Sequence, residues 1–315
     1  MKSALDHVIH SVLRKDEDPI NILYFGYDGW FESMISKIPN TKFYVNKDYL
    51  QYPLDDCTTP YNFTILDKGM TYIPNRIDID IVICNSRREQ VNHAATIAAA
   101  YHLPCIFIDH ELPNSNTKSS LREYVNSRLP KSCIHVCTSS IIVDEWILDK
   151  DTIVVPYDIS SVTIDKPKTQ EVLVVGDYEP QDQRILDIML NAHPDAKGIG
   201  NSKSLKKYDS YESLMYHMSN SKVCIMCINE NRPPILAMMA MAAGCIVIIN
   251  NTRWTTSIIN HGDNGFIFDK ANDIPKYVKL ALSPESCIDT DYTPHNSTNT
   301  WLSLVQDSIK GVYLR

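Results

Sequence analysis

Residues 221–268 read SKVCIMCINENRPPILAMMAMAAGCIVIINNTRWTTSIINHGDNGFIF, and this stretch decides the fold. It opens with an apolar run at 223–228, whose β-branched side chains favour a buried strand of a parallel sheet. Four hydrogen-bonding residues follow, including Glu230, Asn231 and Arg232. Since open α/β sheets bind ligands beyond the carboxyl ends of their strands, these residues predict a ligand-binding turn.

A helix is predicted to follow this turn. Pro233 and Pro234 suit its first turn, where a missing N–H costs no intrahelical hydrogen bond. Residues 235–243, beginning with Ile235, are rich in Ala and Met, which are good helix formers. The free N–H groups at the start of such a helix favour an anion. Gly244 is expected to end the helix, and further strand patterns complete a βαβαβ unit.

The order of these features resembles the donor-binding half of family 4 glycosyltransferases. The resemblance is carried by the run Met-Ala-Met-Ala-Ala-Gly at 239–244 and by Asn264-Gly265 before a strand. It implies an α/β protein with the GT-B fold, in which two Rossmann-like parallel-sheet domains face each other across a cleft. It also implies transfer of a sugar from a nucleotide-sugar, such as a UDP- or GDP-sugar, with retention of configuration.

The sequence departs from the family pattern at two glutamates. Counting back from Gly244 places Asn231 at the first glutamate and Met239 at the second. Glu230 takes the first place only if the turn is one residue longer. In the family the second glutamate typically binds the nucleotide ribose, a contact that the apolar Met239 cannot make. A catalytically degenerate GT-B protein that binds a sugar or nucleotide therefore stays open as the alternative function.

Two domains are expected in a chain of 315 residues. Strand and helix patterns alternate through residues 1–160, which predicts a Rossmann-like domain with a parallel sheet, and the resemblance implies that it is the acceptor-side domain. Polar residues near 160–170 have linker composition and precede a second domain at 161–298, which the resemblance implies is the nucleotide-sugar-binding domain. Apolar residues recur at helical spacing in 299–315, and the resemblance implies a helix that packs back on the first domain.

A glycine-containing turn, Gly26-Tyr27-Asp28-Gly29, follows the first predicted strand. Glycine lets the backbone approach a ligand closely, and a helix start behind the turn would aim N–H groups at it. The turn lacks GxGxxG, which disfavours a dinucleotide site. A plain βα turn and a ligand loop both stay open from the residues alone. The resemblance favours contact of Gly26 and Gly29 with the donor phosphates or the acceptor.

His110 lies in Asp109-His110-Glu111, directly after a predicted strand at 105–108. We expect it at the carboxyl edge of the first sheet, facing the cleft. Its acidic neighbours can fix the imidazole tautomer and raise its basicity. In family 4 enzymes a histidine after the corresponding strand contacts the transferred sugar. His110 and Glu230 are therefore the predicted catalytic residues.

Cations near the second sheet are candidates for binding the donor diphosphate. The family typically has Gly-Arg with a later Lys where this chain has Gly176-Asp177. Arg184 is the nearest cation behind Asp177, and a phosphate contact and plain solvation are equally open for it. Arg232 lies beside a helix start, where a bidentate contact is favoured. The predicted donor-binding residues are Gly26, Gly29, Arg184, Asn231, Arg232, Pro233, Pro234 and Ile235.

Composition excludes several classes of protein. Hydrophobic residues make up 44% and charged residues 22% of the chain, which argues against disorder. No apolar run approaches the ~18 residues of a membrane span. Nine cysteines are scattered, mostly in apolar runs, which indicates reduced thiols and a cytoplasmic setting, or the host cytoplasm for a viral gene. Cys224 and Cys227 form a lone CxxC without a second pair at suitable spacing, so no metal site is expected.

The sequence shows no carboxylate pair of hydrolase type and no GxSxG motif. The same observation disfavours a sugar-nucleotide epimerase of the GT-B fold, which would need carboxylate acid and base groups. Retaining transfer is thought to need no protein nucleophile, because the donor phosphate accepts the proton of the acceptor. We therefore predict a hexosyl- or pentosyltransferase that works without a metal or other cofactor.

The acceptor is open between several chemical classes. A net charge of −8 lacks the general electrostatic footprint of a nucleic-acid-binding protein. A high content of Ile, Asn, Lys, Tyr and Asp nevertheless indicates an AT-rich genome, and phage-like genes of this style can glycosylate hydroxymethylated DNA bases. A DNA base, a polysaccharide and a protein hydroxyl all remain candidate acceptors.

Overall fold

The structure is a computed structural model in which the chain divides into two compact units. The first consists of Met1–Asp158 and Asn296–Arg315, and the second of Ile159–His295. The structure describes residues 18–26, 31, 35–46, 62–66, 77–85, 88–113, 118–129, 133–148, 152–157, 159, 167–176, 183–200, 205–207, 211–230, 233–289 and 297–313.

The first unit is built on a seven-stranded parallel sheet in the order β3-β2-β1-β4-β5-β6-β7. Its strands are β1 (Ile20–Phe25), β2 (Thr41–Asn46), β3 (Phe63–Leu66), β4 (Ile81–Asn85), β5 (Cys105–Asp109), β6 (Ile134–Cys137) and β7 (Ile153–Val154). Helices α1 (Arg88–Tyr101), α2 (Lys118–Arg128) and α3 (Ser140–Trp146) connect the strands from β4 to β7. Consecutive parallel strands require such crossover helices.

Apolar side chains cover both faces of this sheet. On one face, Val91 and Ala94 of α1 pack in a cluster with Cys84 and Phe107. On the other, the buried ring of Tyr24 lies near Phe31, with ring centroids 6.5 Å apart. This pattern is that of a sheet sandwiched between helical layers, so its strands are apolar on both sides.

The second unit has a five-stranded parallel sheet in the order β12-β11-β10-β8-β9. Its strands are β8 (Gln170–Gly176), β9 (Lys197–Gly200), β10 (Ser221–Met226), β11 (Ile246–Asn250) and β12 (Gly265–Phe268). Its helices are α4 (Gln183–Leu190), α5 (Tyr211–Ser219), α6 (Ile235–Ala242), α7 (Thr255–Ile258) and α8 (Ile274–Ala281). The final helix, α9 (Thr298–Tyr313), belongs to the first unit.

Lys168 stabilises the junction between α6 and β11 with hydrogen bonds. Its ammonium donates to the carbonyl oxygens of Ser221 at 2.9 Å, Ala243 at 3.1 Å and Gly244 at 2.5 Å. Carbonyls at a helix end lack intrahelical partners, and a cation there also interacts favourably with the helix dipole. Gly244 itself has φ +71°, the left-handed conformation that commonly ends a helix.

The predicted α/β class with two parallel sheets is confirmed. Strand β9 was not predicted from the sequence. The apolar spacing near the N-terminus predicted a helix over residues that lie outside the described part of the chain, as do most residues of the predicted linker. Among the described residues, no helix has the length and apolar character needed to cross a membrane.

Candidate functional site

The central strands of the second sheet end side by side. Strand β10 pairs with β8 on one side and with β11 on the other, all parallel. Because parallel strands present their carboxyl ends at the same edge, the segments after these three strands are neighbours. The predicted turn after β10 and the start of α6 therefore share an edge with the segments that follow β8 and β11.

The turn after β10 is held by a side chain from the end of β11. The Ile228 N–H donates to Asn250 Oδ1 at 2.7 Å, and Asn250 Nδ2 donates to the Ile228 carbonyl at 3.1 Å. This reciprocal pair satisfies a backbone N–H and C=O with one amide. The start of the turn is thus fixed in position relative to β11.

Arg253 meets Glu230 at this edge. Glu230 follows β10 with its side chain 63% exposed, and its Oε1 lies 3.3 Å from Nε of Arg253. Arg253 follows β11, and its side chain is 34% exposed. The sequence interpretation missed Arg253 as a site residue. Its place just beyond a predicted strand, the rule that selected Glu230, is the signal that would have found it.

Hydrogen bonds between two threonines hold the backbone on either side of Arg253. The Thr252 N–H donates to Thr255 Oγ1 at 2.8 Å, and the Thr255 N–H donates to Thr252 Oγ1 at 3.1 Å. Thr255 Oγ1 in turn donates to the Asn250 carbonyl at 3.0 Å. The guanidinium of Arg253 is therefore presented from a fixed loop.

The start of α6 is apolar and well packed. Pro233, Pro234 and Ile235 are all buried, and the Ile235 N–H donates to the Pro233 carbonyl at 2.9 Å. The first turn of α6 holds no acidic residue and has no side-chain cap. The turn residues Asn231 and Arg232 lie outside the described part of the chain. The first turn of α6 itself therefore contributes no carboxylate to the positive end of the helix.

Met239 lies inside the core of the second unit. Its side chain is 1% exposed on α6, which also buries Ile235, Leu236, Ala237, Ala240 and Met241. The residue at the place of the family's second glutamate is therefore a packing residue here.

The remaining predicted donor residues fall in different settings. Arg184 is exposed in the first turn of α4, the helix that follows β8. Asp177 and Gly29 lie outside the described residues. Gly26 is buried at the end of β1, and a Cβ on it would lie 1.9 Å from Cζ and Oη of Tyr24. The close passage of the Tyr24 ring therefore requires glycine at position 26 for packing.

His110 is buried in the first unit, with 1% of its surface exposed. Its ring lies 5.6 Å from that of Phe31, which also contacts the rings of Tyr157 at 6.2 Å and Trp301 at 5.8 Å. His110 is thus part of an aromatic cluster that includes a residue of α9.

The expected role of Asp109 in orienting His110 needs correction. The Asp109 carboxylate bonds His135 instead, with Oδ2 2.7 Å from Nε2. Neighbouring residues of a strand point to opposite faces, which is why Asp109 at the end of β5 and the following His110 have different surroundings.

The CxxC pair contains two free thiols. Cys224 is buried in β10, and Cys227 is half-buried just beyond the strand. Burial raises the pKa of Cys227 to about 12 and raises that of Cys224 as well, with Cys245 as a lesser cause for Cys224. Such protonated thiols are poor nucleophiles, which fits their interpretation as core residues.

Residues 166–286 match the family model described as glycosyl transferases group 1. We refer to this matched segment, which is less than half of the chain, as the group 1 domain. It holds every described edge residue of the second unit, including Arg184, Glu230 and Arg253, whereas His110 lies outside it. No curated protein matches the chain in sequence.

Solved structures extend the likeness beyond the group 1 domain. Alr3699/HepE of Anabaena, in complex with UDP-glucose, has a TM-score of 0.64 at 10% identity, over 93% of this chain and 98% of that one. A glycosyltransferase of Rickettsia africae ESF-5 has a TM-score of 0.57 at 13% identity, over 94% of each chain. At such identities the likeness shows the fold, which is GT-B. The chain therefore carries a glycosyltransferase domain within a GT-B architecture.

Proposed function

We propose that this protein is a glycosyltransferase that moves a sugar from a nucleotide-sugar to an acceptor hydroxyl with retention of configuration. The observation that carries the proposal is the 3.3 Å contact of Glu230 with Arg253 at the edge of the group 1 domain, on the segments that follow β10 and β11, with α6 as the next helix along the chain after Glu230. Donor phosphates would lie at that helix start, because its N–H groups favour an anion. A UDP- or GDP-sugar is the proposed donor, and the UDP-glucose bound to Alr3699/HepE makes this the first donor to test.

Arg253 supplies the positive charge that the chain lacks at Asp177. A diphosphate carries more charge than a single carboxylate, so in the donor complex it competes with Glu230 for the Arg253 guanidinium. Arg184, exposed in the first turn of α4, is the second cation at the same edge. Cations placed at the donor phosphates can stabilise the leaving diphosphate without a metal ion, so we propose metal-independent transfer.

The donor phosphate accepts the acceptor's proton as the sugar moves, so no protein nucleophile is needed. Glu230, freed from Arg253 by the donor, is the proposed contact of the sugar in the second unit, and His110 is the second proposed catalytic residue. We include His110 because it directly follows β5, as the histidine of family 4 enzymes follows its strand.

Donor binding tests the proposal directly. Calorimetric titration with UDP-glucose, UDP and GDP-sugars is expected to show binding that Arg253→Gln weakens roughly 10–100-fold, the loss expected for a hydrogen bond to a charged group. Arg128→Gln is the matched control, since Arg128 lies in α2 of the first unit. Equal donor affinity in the Arg253→Gln variant and the unaltered protein would remove Arg253 from the site.

Measurements of sugar transfer test the role of His110, the need for a metal ion and the stereochemical outcome separately. His110→Gln, which preserves much of the buried volume, should lower turnover far more than donor affinity; an unchanged rate removes His110 from the mechanism. Added Mg²⁺ or Mn²⁺ should leave the rate unchanged. The anomeric configuration of the product, read by NMR, decides between retention and inversion.

The alternative is a sugar- or nucleotide-binding protein without activity, and the observation that favours it is the buried Met239 at the second glutamate position. It predicts that nucleotide-sugars raise the melting temperature while neither transfer nor donor hydrolysis occurs with any acceptor pool. Any donor turnover contradicts this alternative.

The acceptor is proposed to be a hydroxymethylated DNA base or a glycan. Binding to DNA should weaken steeply as salt rises, because neutralised phosphates release counterions, whereas a glycan should bind with little salt dependence. A cytoplasmic location is also proposed, and it is supported by the eight described cysteines, all of which are free thiols.

A further inference from the structure

Three metal-binding side chain types meet on one face of the first sheet. In the parallel pairing of β5 with β6, Asp109 lies opposite Cys137 and Phe107 lies opposite His135. Residues two apart in a strand share a face, and paired residues share it too. Asp109, His135 and Cys137 therefore project from the same face, close to the carboxyl ends of two adjacent strands.

The ligand atoms of these residues converge. A carboxylate oxygen of Asp109, a ring nitrogen of His135 and the sulfur of Cys137 all lie within 4.8 Å of one another. The shortest separation is 2.7 Å, between Asp109 Oδ2 and His135 Nε2. The ring of Phe107 lies 4.9 Å from that of His135 and limits its movement. Small adjustments bring three such atoms to the corners of one coordination sphere.

Burial makes this grouping costly without a cation. The Asp109 side chain is 7% exposed, and Cys137 is fully buried. A carboxylate and a thiol thus share a dry environment, where a bound divalent cation stabilises the buried carboxylate. The His135 side chain is 27% exposed, which leaves a route from solvent.

We propose that Asp109, His135 and Cys137 together bind one Zn²⁺-like divalent transition metal ion, with water as the fourth ligand. One carboxylate oxygen, one imidazole nitrogen and one thiolate suit Zn²⁺ and its neighbours, whereas Mg²⁺ and Ca²⁺ prefer oxygen ligands. On binding, the Cys137 proton passes to solvent and the thiolate–metal bond forms. The Asp109–His135 hydrogen bond is exchanged for two metal–ligand bonds of about 2.0–2.2 Å, and the proton of the neutral imidazole then lies on the other ring nitrogen, Nδ1.

Such an ion would link β5, through Asp109, to β6, through His135 and Cys137. Asp109 precedes His110 directly, so fixing the carboxylate also fixes the backbone from which the imidazole is held. The inference does not rest on the proposed transfer reaction, whose donor chemistry needs no metal. The competing interpretation is a plain hydrogen-bonded Asp–His pair beside a core cysteine.

Titration of the metal-free full chain with Co²⁺ distinguishes the two. We expect one Co²⁺ per chain, with a thiolate-to-cobalt charge-transfer band in the near ultraviolet and visible bands of a four-coordinate ion, both removed by Zn²⁺. Cys137→Ser should abolish the charge-transfer band. His135→Gln should weaken binding by more than the roughly 10–100-fold typical of changes to outer-shell partners.

Control variants separate this site from other thiols and other carboxylates. Cys287→Ser and Cys227→Ser should leave the band intact, although Cys287 is exposed and Cys227 is half-buried. Glu171, His193 and Asp195 form another convergent group in the second unit, but it offers no thiol and gives no such band. Circular dichroism checks that each variant is folded. If Cys137→Ser misfolds, His135→Gln still tests the site, because His135 is only half-buried. Absence of the band in the unaltered protein, or its persistence in both ligand variants, overturns the proposal.

Discussion

At the scale of single residues, Met239 is a departure of the group 1 domain from the family pattern, which has a glutamate at this place. Met239→Glu restores the family's residue type but places a carboxylate where the side chain is 1% exposed. We expect a loss of about 3–5 kcal/mol in the free energy of unfolding, the cost typical of an uncompensated buried charge, and no gain in nucleotide affinity. Urea denaturation and calorimetry measure the two quantities.

Met239→Leu is the matched control for volume. A swap of similar volume should cost less than about 1.5 kcal/mol. A Met239→Glu variant as stable as Met239→Leu, with tighter nucleotide binding, would show that the helix turns this position toward the ligand.

Gly26 gives a second prediction at this scale. Gly26→Ala must displace the Tyr24 ring, because the added Cβ would lie 1.9 Å from it. We expect a loss of about 1–3 kcal/mol, typical of overpacking, measured by thermal or urea unfolding.

Gly311→Ala is the control of opposite sign. Gly311 lies in α9 with nothing within 4 Å of an added Cβ, so the change should stabilise the protein by about 0.5–1 kcal/mol through helix propensity. Equal effects of the two changes would contradict the steric account of Gly26.

Sequence reasoning located parts of the candidate site but not their pairing. Glu230 could be predicted from its place after a strand. The rule that ligands bind beyond the carboxyl ends of parallel strands depends only on chain order. That Arg253 contacts Glu230, and that Asp109 turns to His135 instead of His110, depends on strand register and on which face a side chain occupies. These are tertiary facts that local patterns do not encode.

At the scale of elements, the α6–β11 junction depends on one lysine. Lys168→Met keeps an apolar stem and removes the donor to three carbonyl oxygens. We expect a loss of about 1–3 kcal/mol, the penalty for leaving buried acceptors unsatisfied, measured by urea unfolding. Burial lowers the pKa of the Lys168 ammonium, so part of the gain from these bonds is already offset by desolvation.

Lys222→Met is the comparison for Lys168. Lys222 is half exposed and lies 3.4 Å from Glu171, an exposed pair of the kind worth about 0–1 kcal/mol. Loss of stability in Lys222→Met as large as in Lys168→Met would contradict a special role for the junction.

Most elements of the second unit were predictable, because apolar runs and helix patterns alternate with clear turn residues. Strand β9 was missed since its sequence, KGIG, holds two glycines that weaken any strand signal. The fold needs one of them: Gly200 has φ +144°, and a Cβ there would lie 2.5 Å from the Gly176 carbonyl oxygen. The close approach of β8 and β9 thus requires glycine at position 200, and the same glycine weakens the strand signal in the sequence.

At the scale of the whole molecule, α9 joins the end of the chain to the first unit. Trp301 is 1% exposed, and its ring lies 5.8 Å from that of Phe31. Trp301→Ala should destabilise the first unit by about 3–5 kcal/mol through loss of a large core side chain. Hydrogen exchange should quicken in β1, β4 and β5 more than in β10 and β11.

Leu280→Ala serves as the control, because Leu280 is 47% exposed on α8 of the second unit. Surface changes of this kind usually fall within about 0.5 kcal/mol. Exchange that quickens equally in both units of the Trp301→Ala variant would mean that they unfold together.

The return of the chain to its first unit has a consequence for synthesis. The ribosome releases all of Ile159–His295 before α9, whose tryptophan completes the aromatic cluster around Phe31. Domains usually become folded in the order in which they are made. Here the middle of the chain is the first contiguous unit able to fold, so the second unit can form before α9 is available to pack on the sheet of the first unit.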